Sequence, residues 1–424
     1  MNTPAPALTL NLDSDRRLLR AAGLSVRYLH LALQAPAATQ ARAPVDLALV
    51  LDRSGSMNGA KWHQARQAAL QALGQLTAQD RAAVVIFDHE VDTLLPLAPV
   101  TPLTRQMAEQ ALLGITPRGN TDLGGGWLTG CGLIGQEAPG ERLRRCFLVS
   151  DGEANAGITD PAELSQHASA LRQLGVVTST FGVGDHYNEE LLGLLADAGG
   201  GAFHDIAQAE GIPALIAQEL GDALTVVCPD IKVHLSWEAP LQVEVLGDWP
   251  VASQPAGLTI QVGDLVSAQV LDLLVAIHFP PGAVDQDCPL AVAVSDQGQV
   301  LATDRYTWTW VEDARRKAQP RQAAVEQRVA GLWAAEARRE ATQRNRRDDL
   351  EGARAVLVQA AGKMRGYGKD NKEVINQAAL LLGEVHTYQE MLDPRALKAR
   401  FFATSSALKG RQADGSRSRG GADA

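Results

Sequence analysis

Between Val45 and Leu220, short apolar runs alternate with stretches of helical periodicity. The runs are apolar at consecutive positions, which is typical of strands covered by helices on both faces. This order of elements predicts an α/β fold with a doubly wound, mostly parallel six-stranded sheet, in which one strand folds back after Asp88-His89-Glu90. The predicted strands are Val45–Leu51, Ala82–Phe87, Val91–Leu97, Cys146–Val149, Val176–Val183 and Ala202–His204.

One of the intervening helices carries an explicit start signal. Asp160 followed by Pro161 and Glu163 combines an N-cap, a first-position proline and a capping-box acid. Gly175 is expected to end this helix.

After Asp222 the pattern changes to short strand-like runs broken by Pro, Gly and Asp, which predicts an antiparallel β-sandwich. The strand-like stretch Ser25–Leu33 precedes the α/β domain and has no parallel partner, so we expect it to complete the sandwich. The predicted sandwich strands are Leu224–Val227, Ile231–Trp237, Gln242–Val245, Leu258–Val262, Ser267–Phe279, Leu290–Val294 and Tyr306–Val311.

From Ala314 onward Ala, Arg, Glu and Gln dominate, which predicts helices at Arg321–Arg344, Asp348–Met364 and Lys372–Leu392. The final Gly-, Ser-, Arg- and Asp-rich stretch has almost nothing to bury and is expected to be disordered. The predicted organisation is residues 1–40 as a segment contributing to the β-sandwich, 41–222 as the α/β domain, 223–311 as the sandwich, 312–408 as an α-helical region and 409–424 as the disordered tail.

Composition and charge disfavour membrane, secreted and nucleic-acid-binding proteins. With 46% hydrophobic and 21% charged residues, the chain is typical of a soluble globular protein. Neither a spanning helix nor a secretory signal is visible, so we expect a cytoplasmic location without membrane contact. The four cysteines form no Cys-x-x-Cys pair, which favours buried thiols. Residues 1–311 hold 17 basic and 34 acidic side chains, which gives a net charge of −17. Residues 312–424 hold 22 basic and 15 acidic side chains, which gives a net charge of +7. The acidic body disfavours nucleic-acid binding and is compatible with holding cations.

Oxygen-bearing side chains collect in three predicted loops. Asp52, Ser54 and Ser56 follow the first strand, Asp151 follows the fourth, and Thr121 precedes a glycine-rich helix start. If the strand order reverses between the first and fourth strands, these loops flank the switch point at which open sheets bind ligands. Mg²⁺ prefers oxygen ligands and takes one or two protein carboxylates, so two carboxylates and three hydroxyls predict a divalent-cation site. The incomplete shell leaves a place for a partner's acidic residue.

Residues 45–221 resemble a von Willebrand factor A domain of bacterial type. Asp52-x-Ser54-x-Ser56, Thr121 and Asp151 match every position of that family's metal-ion-dependent adhesion site, and the stretches 118–124 and 148–153 resemble its second and third loops. The resemblance implies one antiparallel edge strand, a divalent cation (Mg²⁺ first, with Mn²⁺ or Ca²⁺ as alternatives) and an open coordination position for a partner's Asp or Glu. It also implies that Ser54, Ser56 and, in the ligand-competent state, Thr121 are direct ligands, whereas Asp52 and Asp151 act largely through water.

The surroundings of the site have plainer interpretations. Asp122 is predicted as the N-cap of the following helix, and Glu153 as a solvated acid on the rim. Trp62 is expected to pack in the core, and Gly124–Gly126 are explained by close backbone packing, because no Gly-Lys-Ser/Thr follows them.

An enzymatic function is the first alternative. Aspartyl-phosphate phosphatases also begin with an aspartate after a central strand, but they resemble Asp-x-Asp and position 54 is serine. A serine nucleophile elbow requires Gly-x-Ser-x-Gly, whereas Asp52 stands two residues before Ser54. We therefore expect no catalysis, with a Mg²⁺-dependent hydrolase kept as the alternative.

Nucleic-acid association through the basic C-terminal helices is the second alternative. Interleaved acids favour a solvated, ion-paired helix face instead. The arginines concerned are Arg338, Arg339, Arg344, Arg346 and Arg347. The leading hypothesis is therefore metal-dependent protein–protein recognition or scaffolding, with the partner and the oligomeric state left open.

Overall fold

The computed structural model describes residues 8–38, 42–136, 142–238 and 240–420. These residues form two compact units. The inserted unit comprises residues 42–226, and the flanking unit comprises residues 8–38 together with residues 227–420. The chain therefore builds part of the flanking unit first and returns to it after completing the inserted unit.

The flanking unit begins with β1 (Thr9–Ser14), β2 (Leu18–Arg20) and β3 (Ser25–Gln34). In β3, Leu29, Leu31 and Leu33 are fully buried. Because successive strand residues point to opposite faces, these three leucines place one face of β3 against the core.

The inserted unit contains a six-stranded sheet in which all neighbouring strands are parallel except the antiparallel edge strand. The strands are β4 (Val45–Asp52), β5 (Arg81–Phe87), β6 (Val91–Pro99), β7 (Leu143–Ser150), β8 (Val176–Val183) and β9 (Gly200–Ile206). Their order is β6-β5-β4-β7-β8-β9, with β6 antiparallel to β5. Every residue of β4 is buried. The predicted doubly wound α/β fold is confirmed.

Helices cover both faces of this sheet. They are α1 (Ala60–Gln75), α2 (Pro102–Leu113), α3 (Leu123–Gly135), α4 (Pro161–Gln173), α5 (Glu189–Gly199) and α6 (Ile212–Leu224). Apolar residues of α1 and α6 share a buried cluster with Leu47, Leu49 and Leu51 of β4. On the opposite face α3 lies so close that a Cβ on Gly130 would lie 2.3 Å from Val50 Cγ2. The predicted start of α4 is confirmed, since the Asp160 side chain accepts from the Ala162 amide.

The flanking unit continues as two face-to-face sheets. The strands that follow the inserted unit are β10 (Val226–Trp237), β11 (Gln242–Leu246), β12 (Val251–Gln254), β13 (Gly257–Val266), β14 (Val270–Phe279), β15 (Asp287–Asp296) and β16 (Gln299–Val311). One sheet has the order β1-β3-β14-β11 and the other β12-β13-β10-β15-β16-β2. Residues of both sheets share one apolar core, which makes this part a sandwich.

Two features of the sandwich differ from the sequence prediction. The predicted strand Leu224–Val227 is wrong at its start, because Leu224 ends α6 and β10 begins at Val226. The prediction also missed β1, β2 and β12. All four residues of β12 are exposed, so its sequence carries no apolar alternation.

Helices cover the second face of the four-stranded sheet. They are α7 (Asp313–Ala318), α8 (Ala323–Arg346), α9 (Leu350–Tyr367), α10 (Lys372–Gly383) and α11 (Pro394–Leu408). Apolar residues of α8, α9 and α10 share a cluster with Leu246 and Leu274 of the sheet. Tyr28 packs edge-on against Trp333 and Tyr367 at ring-centroid distances of 5.6 and 5.2 Å. The predicted helix Lys372–Leu392 ends instead at Gly383 and continues as a 3₁₀ segment, Glu384–Gln389.

The arginines of α8 are engaged with acids of the same unit. Arg338 pairs with Glu384 at 2.7 Å, Arg339 pairs with Asp248, and Arg344 pairs with Glu340 at 2.7 Å. These contacts favour the ion-paired interpretation of this basic face over phosphate binding.

The end of the chain differs from the prediction of a disordered tail. Ser418 accepts a hydrogen bond from the Val270 amide through its carbonyl, and the Gly420 amide donates to the Ala268 carbonyl. The Arg417 guanidinium donates to Gln269 at 3.0 Å. The prediction is therefore wrong for residues 409–420, because polar and backbone contacts replace apolar burial there. For residues 421–424 it lies outside the described residues.

Across the described part of the chain, every helix is too short or too polar to cross a bilayer.

Candidate metal centre

Three loops meet at the carboxyl edge of the inserted sheet. Strands β4 and β7 are parallel neighbours, and Leu51 is paired with Val149 just before each strand ends. The chain passes from β4 to β5 on one side and later enters β7 on the other, so the strand order does reverse between them. The loops after these two strands therefore face each other at the switch point.

Asp52, at the end of β4, is fully buried. Its Oδ1 accepts a hydrogen bond from the Ser54 amide at 2.7 Å, and its Oδ2 accepts one from the Ser150 hydroxyl at 2.5 Å. Burial raises the pKa of Asp52 to about 6, nearby Asp151 adds to this rise, and the hydrogen bonds from Ser150 and Ser54 oppose it. Neutral donors thus hold a carboxylate whose charge is poorly compensated.

Ser54, Ser56 and Asp151 form a chain of contacting oxygens. Ser54 Oγ lies 3.1 Å from Ser56 Oγ, and the Ser56 hydroxyl donates to Asp151 Oδ1 at 2.6 Å. Asp151 is fully buried, Ser54 is 2% exposed, and Ser56 is exposed. The cluster consequently opens to solvent on its Ser56 side.

Thr121 reaches the same place from the loop before α3. A Cβ built on Gly152 would lie 3.2 Å from Thr121 Oγ1 and 3.8 Å from Asp52 Oδ2, so the hydroxyl and the carboxylate border the same glycine. The Thr121 amide donates to Asn155 Oδ1 at 2.8 Å. This bond ties the second loop to the third. All five residues predicted for the site are therefore brought together.

The first and second loops are joined through their backbones. The Arg118 amide donates to the Arg53 carbonyl at 2.8 Å, and the Gly55 amide donates to the Gly119 carbonyl at 3.3 Å. Arg53 and Arg118 both form ion pairs with buried Asp88 at 3.0 Å. These contacts hold the serine loop and the threonine loop in a fixed register.

The residues around the site match their plainer interpretations. The Asp122 side chain accepts from the Gly125 amide at 2.9 Å and caps α3. Trp62 is 5% exposed. A Cβ on Gly126 would lie 2.5 Å from the Phe87 ring, which explains the glycines of this helix by close packing. Glu153 is exposed.

Sequence reasoning missed three residues that shape the site: Ser150, Asn155 and Lys61. Ser150 directly precedes Asp151, and its hydroxyl donates a hydrogen bond to Asp52. Lys61, the second residue of α1, forms an ion pair with Asp151 Oδ2. A signal for Lys61 was present, because a lysine in the first turn of a helix opposes the helix dipole and calls for a nearby acid.

The donor set fits a hard divalent cation. It offers hydroxyl and carboxylate oxygens, which are the ligands that Mg²⁺ and Ca²⁺ prefer. Neighbouring ligands of an octahedral Mg²⁺ at 2.0–2.1 Å are separated by about 3 Å, and Ser54 Oγ and Ser56 Oγ lie 3.1 Å apart. Asp52, Ser54, Ser56, Thr121 and Asp151 are the residues that would hold the ion, which would supply positive charge and an open coordination position.

Residues 46–218 match the family model of the von Willebrand factor type A domain. The inserted unit is therefore a von Willebrand factor type A domain. The uncharacterized protein sll0103 of Synechocystis is 27% identical over 364 residues, which cover 74% of this chain and 84% of that protein. The inter-alpha-trypsin inhibitor heavy chain H3 of Bos taurus is 28% identical over 130 residues, which cover 29% of this chain and 15% of that protein.

Solved structures extend the likeness of fold to nearly the whole chain. A von Willebrand factor type A protein from Catenulispora acidiphila has a TM-score of 0.72 at 18% identity and covers 97% of this chain and 98% of its own. The ArnB paralog VWA2 from Sulfolobus acidocaldarius has a TM-score of 0.61 at 16% identity, with 95% and 98% covered. At these identities the likeness concerns the fold alone.

Proposed function

We propose that the inserted domain binds a divalent cation, Mg²⁺ in the first place, through Asp52, Ser54, Ser56, Thr121 and Asp151, and that a partner protein completes the ion's shell with an Asp or Glu carboxylate. The observation that carries the proposal is the meeting of two buried carboxylates with three hydroxyls at the sheet's switch point. The chain would then serve in metal-dependent protein–protein recognition or scaffolding.

The charge of the site supports a cation as its ligand. Asp52 and Asp151 are both fully buried. Lys61 pairs with Asp151, but Asp52 has only neutral donors, and burying a carboxylate without compensating charge is costly. The raised pKa of Asp52 reflects this cost. A divalent ion would offset it, and a coordination position that the protein leaves open could accept a carboxylate from outside.

The accessible side of the site supports an external ligand. Ser56 is exposed whereas Asp52 and Asp151 are buried, so an incoming group would approach over the serine. A side chain carrying a carboxylate is the natural ligand for a hard cation. The affinity for the partner would then depend on the metal concentration.

We propose a binding role without catalysis, in a cytoplasmic setting. The Ser54 hydroxyl contacts the Ser56 hydroxyl, and nucleophilic catalysis by a serine needs an adjacent base. The likeness to the inter-alpha-trypsin inhibitor heavy chain supports an interaction protein rather than an enzyme.

Calorimetric titration with Mg²⁺ and with Mn²⁺ after EDTA treatment tests the metal site. We expect binding heat from the wild type, and a loss of at least tenfold in affinity for Ser54→Ala and for Asp52→Asn, because each removes part of the ion's oxygen shell. Ser169→Ala, at an exposed position of α4, is the matched control and should bind as the wild type does. Equal heats from all four proteins would exclude this site.

Affinity capture in Mg²⁺ and in EDTA tests the partner. A protein retained with Mg²⁺ and released by EDTA should also fail to bind the Ser54→Ala variant. Replacement of the partner's contacting Asp or Glu by Asn or Gln should abolish retention. A partner that binds equally in EDTA would contradict the coordination mechanism.

A further inference from the structure

Lys61 supplies a positive charge inside the metal centre. Its ammonium pairs with Asp151 Oδ2, while Asp151 Oδ1 accepts from the Ser56 hydroxyl. Both oxygens of this carboxylate are therefore engaged, one by a hydroxyl and the other by a full positive charge. Within the described residues, Lys61 is the one cationic side chain that pairs with a carboxylate of the site, and it pairs with Asp151 rather than with Asp52.

The fold directs Lys61 to this position. Gly59, at φ +82°, precedes α1, and Lys61 lies in its first turn. The lysine passes over Gly184, which also has a positive φ of +77°, and a Cβ there would lie 3.4 Å from Lys61 Cε and 3.5 Å from Nζ. Two glycines in the left-handed region thus shape the route of the side chain. The dipole of α1 disfavours a cation at this end, so Asp151 must account for its placement.

We infer that Lys61 is a built-in counter-cation that competes with the divalent ion for Asp151 and thereby lowers the metal affinity of the site. The inference rests on the proposed function. An ammonium and a divalent ion on one carboxylate repel each other, so each weakens the binding of the other. The Lys61 side chain is 27% exposed, which lets its flexible stem carry the ammonium into solvent when the ion binds.

The same contact also gives Lys61 a role when no ion is bound. It balances part of the buried negative charge, so the protein avoids leaving Asp151 unpaired. Metal binding then exchanges one cation for another instead of neutralising a bare pair of acids. The site would fill only when the divalent ion is concentrated enough to displace the lysine.

Metal titration of charge variants at position 61 tests the inference. Removal of a unit charge so close to the ion should tighten Mg²⁺ binding by about tenfold or more in Lys61→Met. Lys61→Arg keeps the charge and should stay within about threefold of the wild type. Arg66→Met removes a positive charge further along the same helix and serves as the matched control, with affinity close to that of the wild type. Lys61→Gln is the second neutral variant should the methionine protein fold poorly.

Thermal unfolding in EDTA gives a readout that needs no metal. Lys61→Met should unfold at a lower temperature than the wild type, and the loss should shrink in the Asp151→Asn background, because the ion pair is already broken there. Unchanged or weaker Mg²⁺ binding by both neutral variants, with wild-type binding intact, would overturn the competition. Absence of binding in every protein would instead remove the proposed function, and the inference with it.

Discussion

Strand β4 carries a buried aspartate near each end, and the two differ in the charge of their partners and in the direction in which their pKa is shifted. Asp46, near the start of β4, and Asp52, at its end, are both fully buried. Asp46 is paired with Arg81 at 2.6 Å and with Arg142 at 2.7 Å. Burial alone would raise the pKa of Asp46, but hydrogen bonds from these arginines hold it below its ordinary value. Asp52 is bound by a hydroxyl and a backbone amide, and its pKa is raised.

The comparison shows that burial of an acid does not by itself mark a binding site. At the amino edge of the sheet the compensating charge is covalently attached to the chain, so the acids there are structural. At the carboxyl edge Asp88 and Asp151 are paired with cations of the chain, whereas Asp52 has only neutral donors, so its negative charge is left for the proposed ion. The kind of partner separates a structural carboxylate from a candidate ligand.

The sharpest test compares the two aspartates by mutation. In EDTA, Asp46→Asn should lower the free energy of unfolding of the inserted unit by about 3 kcal/mol, because it leaves two guanidinium groups without their carboxylate. Asp52→Asn should change it by less than about 1 kcal/mol, since the ionised form is already disfavoured there. Urea unfolding followed by circular dichroism measures both. Similar losses for the two variants would break the comparison.

When Mg²⁺ is added, the Asp52 substitution should have the larger effect on the gain in stability, and the Asp46 substitution the smaller one. With Mg²⁺ at about 100 times its dissociation constant, the wild type should gain about 2.7 kcal/mol of stability. Asp46→Asn should keep this gain although it is less stable, whereas in Asp52→Asn the gain should shrink by at least about 1.3 kcal/mol, which corresponds to the tenfold loss of affinity expected for this variant. The measurement is the same urea titration with and without Mg²⁺. A gain retained by Asp52→Asn would show that the ion binds elsewhere.

Unfolding measured at decreasing pH should show the stabilising contribution of Asp80, whose carboxylate is paired with an arginine of the chain. Burial opposes ionisation of Asp80, but hydrogen bonds from Arg42 and from the Thr77 and Val45 amides hold its pKa well below the usual range. A lowered pKa stabilises the fold at neutral pH by about 1.4 kcal/mol per unit, and the contribution is lost as the pH falls from about 4 toward the folded-state pKa. Asp80→Asn should therefore be less stable at pH 7 and show a shallower loss below pH 4. An unchanged slope would contradict the assignment.

The smallest expected effect is a difference in Mg²⁺ affinity between variants of two helix N-caps. Asp122 caps α3 beside Thr121, and Asp160 caps α4. Replacement of either by Ala should cost about 1 kcal/mol of stability. Mg²⁺ affinity should fall a few-fold in Asp122→Ala, because the cap positions the Thr121 loop, and should stay unchanged in Asp160→Ala. Calorimetry on both variants distinguishes a local effect on the loop from a general loss of stability.

The sequence predicts the inserted domain well because its strands are buried on both faces. Val176–Val183 was predicted with the bounds that the structure has. Four of the five site residues are polar positions that follow apolar runs, whereas Thr121 was predicted from its place before the glycine-rich start of α3. Metal binding by these residues, the identity of the ion and the existence of a partner stay predictions. The exposed strand β12 and the residues 409–420 could not be found in this way, since neither buries an apolar face.

Lys61 shows why the electrostatics of a site is harder to predict than its ligands. The candidate ligands lie in loops that the order of predicted strands and helices places, whereas Lys61 reaches Asp151 from a helix ninety positions earlier in the chain. Its contact depends on the path of a long side chain over Gly184. Spacing along the sequence contains no information about that path.

The split of the flanking unit has a consequence for synthesis on the ribosome. Strand β3 pairs with β14, with Gln34 opposite Val270, so more than two hundred residues must be translated before the pair can form. At bacterial or eukaryotic elongation rates this is on the order of tens of seconds. The inserted domain emerges complete during that interval and has time to fold first, whereas β3 waits for its partner strand β14 until the end of the interval.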